Sequence, residues 1–222
     1  MPSKPSPRAG AARRARPRLN REVICAAALE LLAETDADSF SMRALGERLG
    51  VDPTAVYRHY ADKDELLREV GDRCLAPATR GFSTTEDPWD DARRMCIGVR
   101  RALLRNPVAL SITSSGPTRY PNELRITEVL LDAFERAGMD REDAVLAYHV
   151  LIEYTVGSAA LDAPLSVSTQ ERRETYRRWR SDYARLPIEE YPAIRRVAGH
   201  LYPSSDRVFE TGIDALIAQL MP

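Results

Sequence analysis

An all-α chain is what this sequence predicts, with a short helix-turn-helix near its front and a longer run of helices behind. Three observations carry that reading. Residues 41–63, SMRALGERLGVDPTAVYRHYADK, hold two short amphipathic segments separated by a glycine, a valine and an Asp-Pro pair. The remainder divides into stretches of helical period, repeatedly opened by an aspartate or proline and closed by a glycine, asparagine or proline. Two of those stretches, 140–162 and 205–220, are strongly apolar.

The elements run in order. By residue 21 the chain carries seven basic side chains (Lys4, Arg8, Arg13, Arg14, Arg16, Arg18 and Arg21), four prolines and no acid. Such a composition cannot pack, so residues 1–19 are expected to form a disordered cationic arm able to follow phosphates or enter a minor groove. From Asn20 to about Glu34, Ile24, Ala28 and Leu31 share one face with Val23, Ala27 and Leu32 beside them, a natural brace for the helix-turn-helix. Thr35 to Ser39, short and polar, ends that helix. Ser41 can cap the first motif helix, where Met42, Leu45 and Leu49 recur at i, i+3 and i+7 while Arg43 and Glu47 share another face. Gly50 supplies a left-handed stop, Val51 turns inward, and Asp52 with Pro53 gives an N-cap and a first-position proline.

At about 100° per residue, Thr54, Tyr57 and Arg58 fall on one side of the second motif helix, with Val56 and Tyr60 roughly opposite. One side anchors. The other offers a hydroxyl, a phenol and a guanidinium, with His59 beside them, all able to bond phosphate oxygens; Arg58 can also reach guanine edges in a major groove. Spacing alone leaves a purely structural helical pair open. Charge adds to the case: residues 1–63 carry eleven basic against eight acidic side chains, a net +3, and residues 64–222 carry 21 against 25, a net −4. A whole-chain charge of −1 therefore hides a basic front that suits a polyanion.

Asp62 and Glu65 have capping-box spacing, so the next helix starts at Lys63 and runs through Leu66, Leu67, Val70 and Leu75, with Pro77 expected to disturb or close it. The order of FSMRALGERLGV, DPTAVYRHYADKDELL and a long helix resembles the N-terminal domain of the TetR family of transcriptional regulators. The resemblance covers about residues 20–80, and VYRHYADKDELL is its most specific tract. It implies a three-helix DNA-binding head over 20–63, a linking helix over 64–82, and a larger helical ligand-binding and dimerisation domain over 83–222. It further implies a dimeric repressor, released from palindromic operator DNA when a small molecule occupies the second domain. DNA contacts carried over from the family fall on Ser41, Arg43, Pro53, Thr54, Ala55, Tyr57, Arg58, His59 and Lys63. Arg58 occupies a position that varies within the family, which makes it a candidate for sequence choice.

Behind a loop at 79–88, Asp87 and Pro88 start a helix through Trp89, Met95, Val99 and Leu103, stopped near Asn106 and Pro107. A short apolar piece, Val108 to Ile112, precedes the polar loop Thr113 to Tyr120. Pro121 opens another helix, ended by Gly138, and Asp140 caps the long apolar one. Pro164 to Thr169 is loop-like. From Glu171 to Arg185, Tyr176, Trp179 and Tyr183 recur at i, i+3 and i+7 among arginines, an aromatic stripe packing inward in preference to a second nucleic-acid surface. Pro187, Pro192 and Pro203 punctuate the approach to the last helix. The apolar helices near 140–162 and 205–220 are what a symmetric four-helix homodimer interface requires, and the resemblance assigns dimerisation to them. Gly157, Ser158, Ala159 and Ala160 permit close approach there, between subunits or within one.

A mostly apolar cavity is expected between the helices beginning at Asp87, Pro121 and Asp140, with Met95, Val99, Tyr120, Phe134, His149, Glu153 and Trp179 as candidate lining residues for an effector. A carboxylate at Glu153, inside an apolar helix, points to a cationic or hydroxylated effector. His149 and Glu153, four apart, lack a third ligand, so no metal, cofactor or catalytic site is expected. Phosphate-cradling glycine loops and nucleophile elbows are missing. Cys25, Cys74 and Cys96, odd in number and widely spaced, read as buried apolar residues in a reducing cytoplasm. Residues 144–161 approach the length of a membrane span but contain His149 and Glu153, and read as a core helix. The first residues lack the apolar core of a signal peptide, so a cytoplasmic protein is expected. The alternatives are a constitutive DNA-binding protein whose second domain only dimerises, and an all-α enzyme with an accidental motif.

Overall fold

The computed structural model describes residues 19–34, 40–113, 116–163 and 168–221. The cationic arm up to residue 18, the short loop Thr35 to Ser39 and most of the loop Pro164 to Thr169 lie outside the described residues.

All the described elements are helical. Helix α1 (Arg21–Glu34) is followed by α2 (Met42–Leu49), α3 (Pro53–Tyr57) and α4 (Lys63–Thr79). Then come α5 (Pro88–Arg105), α6 (Pro107–Thr113), α7 (Pro121–Arg136), α8 (Arg141–Asp162), α9 (Thr169–Tyr183), α10 (Pro192–Val197) and α11 (Ser205–Leu220). Side-chain caps begin most of them. Asn20 accepts from the Val23 amide at 2.8 Å, Ser41 from Ala44 at 3.1 Å, and Asp62 from Glu65 at 2.7 Å. Asp87, Asp140 and Ser204 do the same for α5, α8 and α11; the caps at Ser41, Asp62, Asp87 and Asp140 are those read from sequence, and those at Asn20 and Ser204 are not.

Three local departures have physical causes. The Glu65 carboxylate does not return to Asp62 but reaches one residue further, accepting from Ala61 at 2.7 Å, so the expected capping box is half formed. Pro77 does not end α4, which runs two residues further to Thr79. The proline has no backbone N–H to give the helix at that position. The short apolar piece after Pro107 is itself a helix, and α10 with a one-turn 3-10 helix at Ala198–His200 fills the proline-punctuated tract that periodicity could not resolve.

Two hydrophobic cores form. The smaller joins Ile24, Ala28 and Leu32 of α1 to Met42, Leu45, Val56, Tyr60, Leu66 and Val70. The larger gathers Leu75, Met95, Val99, Leu103, Leu130, Phe134, Leu151, Phe209 and Ile213 from α4, α5, α7, α8 and α11. Helix α4 belongs to both: Leu66 and Val70 enter the first and Cys74 and Leu75 the second. Gly71 sits between them, where an added Cβ would come 2.7 Å from Ile112 of α6, so only glycine lets the two helices meet this closely.

Ion pairs stitch the larger core at its ends. Asp91, fully buried, takes Arg136 at 2.7 Å, a guanidinium N–H of Arg94, and the Thr85 amide. Burial pushes its carboxyl up, but the bonds from Arg136 and Thr85 outweigh that and hold it below the ordinary range. Tyr154 of α8 stacks on Phe209 of α11 at 5.5 Å, and its hydroxyl occupies the space where a side chain on Gly212 would stand. All three cysteines are buried, and burial pushes the thiols of Cys74 and Cys96 up to about 11. They serve as small apolar residues.

Candidate nucleic-acid interface and effector cavity

The candidate surface of the head begins with the turn between α2 and α3. Gly50 has φ 65°, the left-handed stop anticipated for it. Gly46 lies where a Cβ would be 3.2 Å from Pro53, so the absence of a side chain in α2 allows α3 to dock at its start. Asp52 caps α3 by accepting from the Thr54 amide at 2.8 Å and the Thr54 hydroxyl at 2.6 Å. Those two bonds hold the Asp52 carboxyl below its usual range. They also commit the Thr54 hydroxyl proton, leaving its oxygen able only to accept.

Beyond the turn, Val56 is 0% and Tyr60 1% exposed, while Tyr57 is 50% exposed and Thr54 and Arg58 are open to solvent. Ser41 and Arg43 are exposed at the front of α2, and Arg43 pairs with Glu47 at 3.1 Å. Pro53, Ala55 and His59 are half-buried along the flank of α3. Lys63 is not wholly free: its Nζ donates to the Phe40 carbonyl at 2.8 Å and sits 5.4 Å from the Phe40 ring centroid, with two N–H groups left for a phosphate. All nine residues reach solvent, at the start of α2, along α3 and the turn after it, and at the first residue of α4.

Inside the head a polar cluster fastens the turn after α3, and sequence reasoning missed it. The Tyr60 hydroxyl lies 3.1 Å from both Glu69 and the Cys25 thiol. Arg21 donates to Glu69 at 2.7 Å, to Glu65 at 2.9 Å and to the His59 carbonyl at 3.0 Å, so it fastens the turn that follows α3. Burial opposes ionisation of Glu69, yet the bonds from Arg73 and Arg21 keep its carboxyl below the ordinary range. As the last of a run of basic residues, Arg21 gives no sign of this role; only its place one residue inside a capped helix hints at it.

The larger core contains an open cavity of about 540 Å³ between α4, α5, α7, α8 and the loop at 116–118. Leu75, Val99, Leu103, Ile126, Ile152 and Val156 make its apolar wall. Its polar groups are Thr118, Glu123, His149, Glu153, and a hydroxyl pair at 3.1 Å between Thr127 and Tyr148. It lies between the three helices expected from sequence, with α4 as an unforeseen fourth wall. Of the seven candidate lining residues, Val99, His149 and Glu153 reach it. Met95 and Phe134 do not: both are fully buried filling of the core. Trp179 is also misplaced, since its ring packs 4.9 Å from Tyr202 in the aromatic stripe of α9. Tyr120 faces the junction with the head and accepts a hydrogen bond from Arg21 at 3.0 Å. Glu153 is not the enclosed carboxylate expected of it, because its side chain is 78% exposed at the cavity rim, 3.8 Å from His149. Among the described residues no group of three metal-ligating side chains forms.

Helix α8 presents Val145, Leu146 and Leu161 to solvent, and α11 presents Val208, all large apolar side chains. Arg141–Asp162 is long and apolar enough to cross a membrane, yet Ala144, Ala147, Leu151, Thr155 and Ala159 along it are buried in this fold.

Residues 24–70 match the model of the tetR family of bacterial regulatory proteins, and residues 83–221 match that of the tetracyclin repressor-like C-terminal domain. The chain belongs to the tetR family. Its curated relatives include an HTH-type transcriptional regulator of Saccharopolyspora erythraea, 29% identical over 82% of this chain and 75% of that protein. The class D tetracycline repressor protein of Escherichia coli is 27% identical over 90% of this chain and 88% of its own length. Among solved structures, the Streptomyces coelicolor regulator SCO7222 superposes with a TM-score of 0.78 at 27% identity, covering 92% of this chain and 98% of that one. An Acinetobacter baumannii TetR variant in complex with minocycline superposes with a TM-score of 0.66 at 25% identity, covering 91% and 96%. This tetR-family chain is thus a transcriptional regulator by descent, with a helix-turn-helix head and a larger helical C-terminal part.

Proposed function

We propose that this regulator binds palindromic operator DNA as a homodimer, represses transcription there, and is released when a small molecule fills the cavity behind the loop at 116–118. The observation that carries the proposal is the division of α3 and the turn after it: Val56 and Tyr60 are locked into the head while Thr54, Tyr57 and Arg58 are exposed. Phosphate contacts fall to Ser41, Arg43, His59 and Lys63, and base contact to Arg58 and Thr54. Pro53 and Ala55 bring the backbone of α3 close to the duplex. Dimerisation through α8 and α11 would cover Leu146, Leu161 and Val208, which are otherwise left in water.

The cavity supports an effector with an apolar body and a few hydroxyls or a cationic group, matched to Thr118, Thr127, Tyr148 and the carboxylates of Glu123 and Glu153. A relative that carries minocycline favours a multi-ring molecule of that size. Release follows from linkage. An effector preferring the arrangement with misplaced heads lowers DNA affinity by the factor by which DNA lowers its own, and ~1–3 kcal/mol of coupling gives about a 5- to 150-fold effect. The constitutive alternative differs in one respect, that no cavity ligand alters operator affinity.

Two substitutions separate the assigned roles. Arg58→Ala is expected to cost ~1–3 kcal/mol on the preferred operator and to relax preference at one base position. Lys63→Ala should weaken all duplexes alike and lower the slope of log affinity against log salt by about one. Binding isotherms at several salt concentrations, on the operator and on single-base variants, read both. Equal losses with unchanged preference would contradict the assignment.

A further inference from the structure

We infer that the hydrogen bond between Arg21 and Tyr120 sets the angle at which the reading head is held against the cavity-bearing core, which makes Tyr120 a positioning residue for operator binding. The inference rests on the reading of this chain as an operator-binding dimer.

Arg21 makes four bonds. Three end within the head or the first turns of α4, on Glu65, Glu69 and the His59 carbonyl in the turn after α3. The fourth crosses to the loop before α7, where the Tyr120 hydroxyl accepts at 3.0 Å. One guanidinium therefore touches the turn after the reading helix and the loop before α7 at once. Its planar fork leaves little freedom between the two.

Tyr120 is itself held. Its amide points to the Thr118 hydroxyl at 3.4 Å, and Thr118 is buried and bonded to Asp72 at 3.3 Å. Tyr120, the residue before Pro121, provides no side-chain cap for α7. Asp72 of α4 supplies one from outside, accepting from Glu123 N at 2.8 Å, Asn122 Nδ2 at 2.8 Å and Asn122 N at 3.3 Å. Between Thr118 and Tyr120, Arg119 has φ 60°, a conformation that a side chain adopts when its surroundings impose it. Here the Arg119 amide is fastened to Glu123 at 3.0 Å.

The same loop has two sides. Gly116, Pro117 and Thr118 form part of the cavity wall, and the run from Gly116 to Tyr120 also lines the cleft against Leu32 of α1 and Leu67 and Arg68 of α4. A molecule in the cavity would bear on Thr118, two residues from Tyr120, and the Arg21 guanidinium ties Tyr120 to the turn after α3. On the far side of the head Arg48 pairs with Glu30 and Glu34 of α1, ion pairs that stay within the head.

The test uses the full chain and operators selected from random duplexes. Tyr120→Phe keeps the ring and removes the acceptor. The variant is expected to bind a single half-site with wild-type affinity and base preference, and to bind the two-half-site operator about tenfold more weakly. It should also lose less than wild type when one base pair is added between half-sites, because its heads are less firmly spaced. A wild-type spacing profile and full-site affinity would overturn the inference, as would an equal loss on half-site and full site. If the wild-type chain selects no duplex at all, it is the operator-binding reading that fails.

Discussion

Tyr60→Ala is expected to abolish operator binding while leaving the larger helical core and its self-association intact. Tyr60 is the largest side chain enclosed in the head, 1% exposed, and it joins α1, the end of α3 and α4. Truncating an enclosed aromatic ring costs about 3–5 kcal/mol, a large fraction of what a core this small supplies. The loss also strips one partner from Glu69 and one from the Cys25 thiol. Tyr60→Phe keeps the ring and forfeits only the hydroxyl. Glu69 retains Arg21 and Arg73, so the expected cost is about 1 kcal/mol, with operator binding weakened but present. Urea unfolding, sedimentation and operator titration on the two variants check the separation. A Tyr60→Ala chain that still bound its operator, or that lost its oligomeric state, would contradict the division into two cores.

Arg100→Ala is the second large effect, and it should strike the other half. Arg100 has a side chain only 3% exposed, yet it serves α5, α8 and α11 together. It donates to Asp206 at 2.6 Å, to Ser158 at 3.2 Å and to Asp162, and its guanidinium lies 4.9 Å from the centre of the Phe209 ring. Asp162 is 15% exposed and would lose the cation paired with it, whereas Asp206, 76% exposed, would hydrate at little cost. Breaking a buried pair by removing one partner costs ~3–5 kcal/mol; with one carboxylate at the surface, the lower end applies. The consequence reaches further than stability, because Asp162 ends α8 and Asp206 begins α11, the helices proposed to pair between subunits. Arg100→Ala is therefore expected to lower the midpoint of thermal unfolding and to raise the dimer dissociation constant together. Substituting Asp206 by asparagine should do little to either. A variant that melted early but associated normally would detach this cluster from the subunit interface.

How far the sequence announces all this depends on the range of the interactions involved. Ser41, Gly50, Asp52, Pro53 and Asp62 act on backbone groups within three residues, so the starts and stops of the head follow from local chemistry. Thr54, Tyr57 and Arg58 are legible for the same reason, since helical period alone puts them opposite Val56 and Tyr60. The cavity is legible as a place between helices and not as a set of side chains. Periodicity identifies an apolar face but cannot tell core filling, as at Met95 and Phe134, from lining, as at Val99. Glu153 shows the opposite error: an apolar helix reads as enclosed all round, whereas in the single chain one of its faces is open. The contacts of Arg21, Asp72 and Arg100 reach partners 38 to 106 positions away, and no local pattern encodes them.

The central claim is that two copies of α3 read one duplex through Thr54, Tyr57 and Arg58. Selection of bound duplexes from a random pool by the full chain tests it most directly, run beside a chain carrying Thr54→Ala, Tyr57→Ala and Arg58→Ala. The account predicts an inverted repeat of two half-sites for the natural chain, with affinity falling steeply as salt rises, and no enriched repeat for the triple variant. The same repeat recovered by both chains, or enriched duplexes without twofold symmetry, would contradict it.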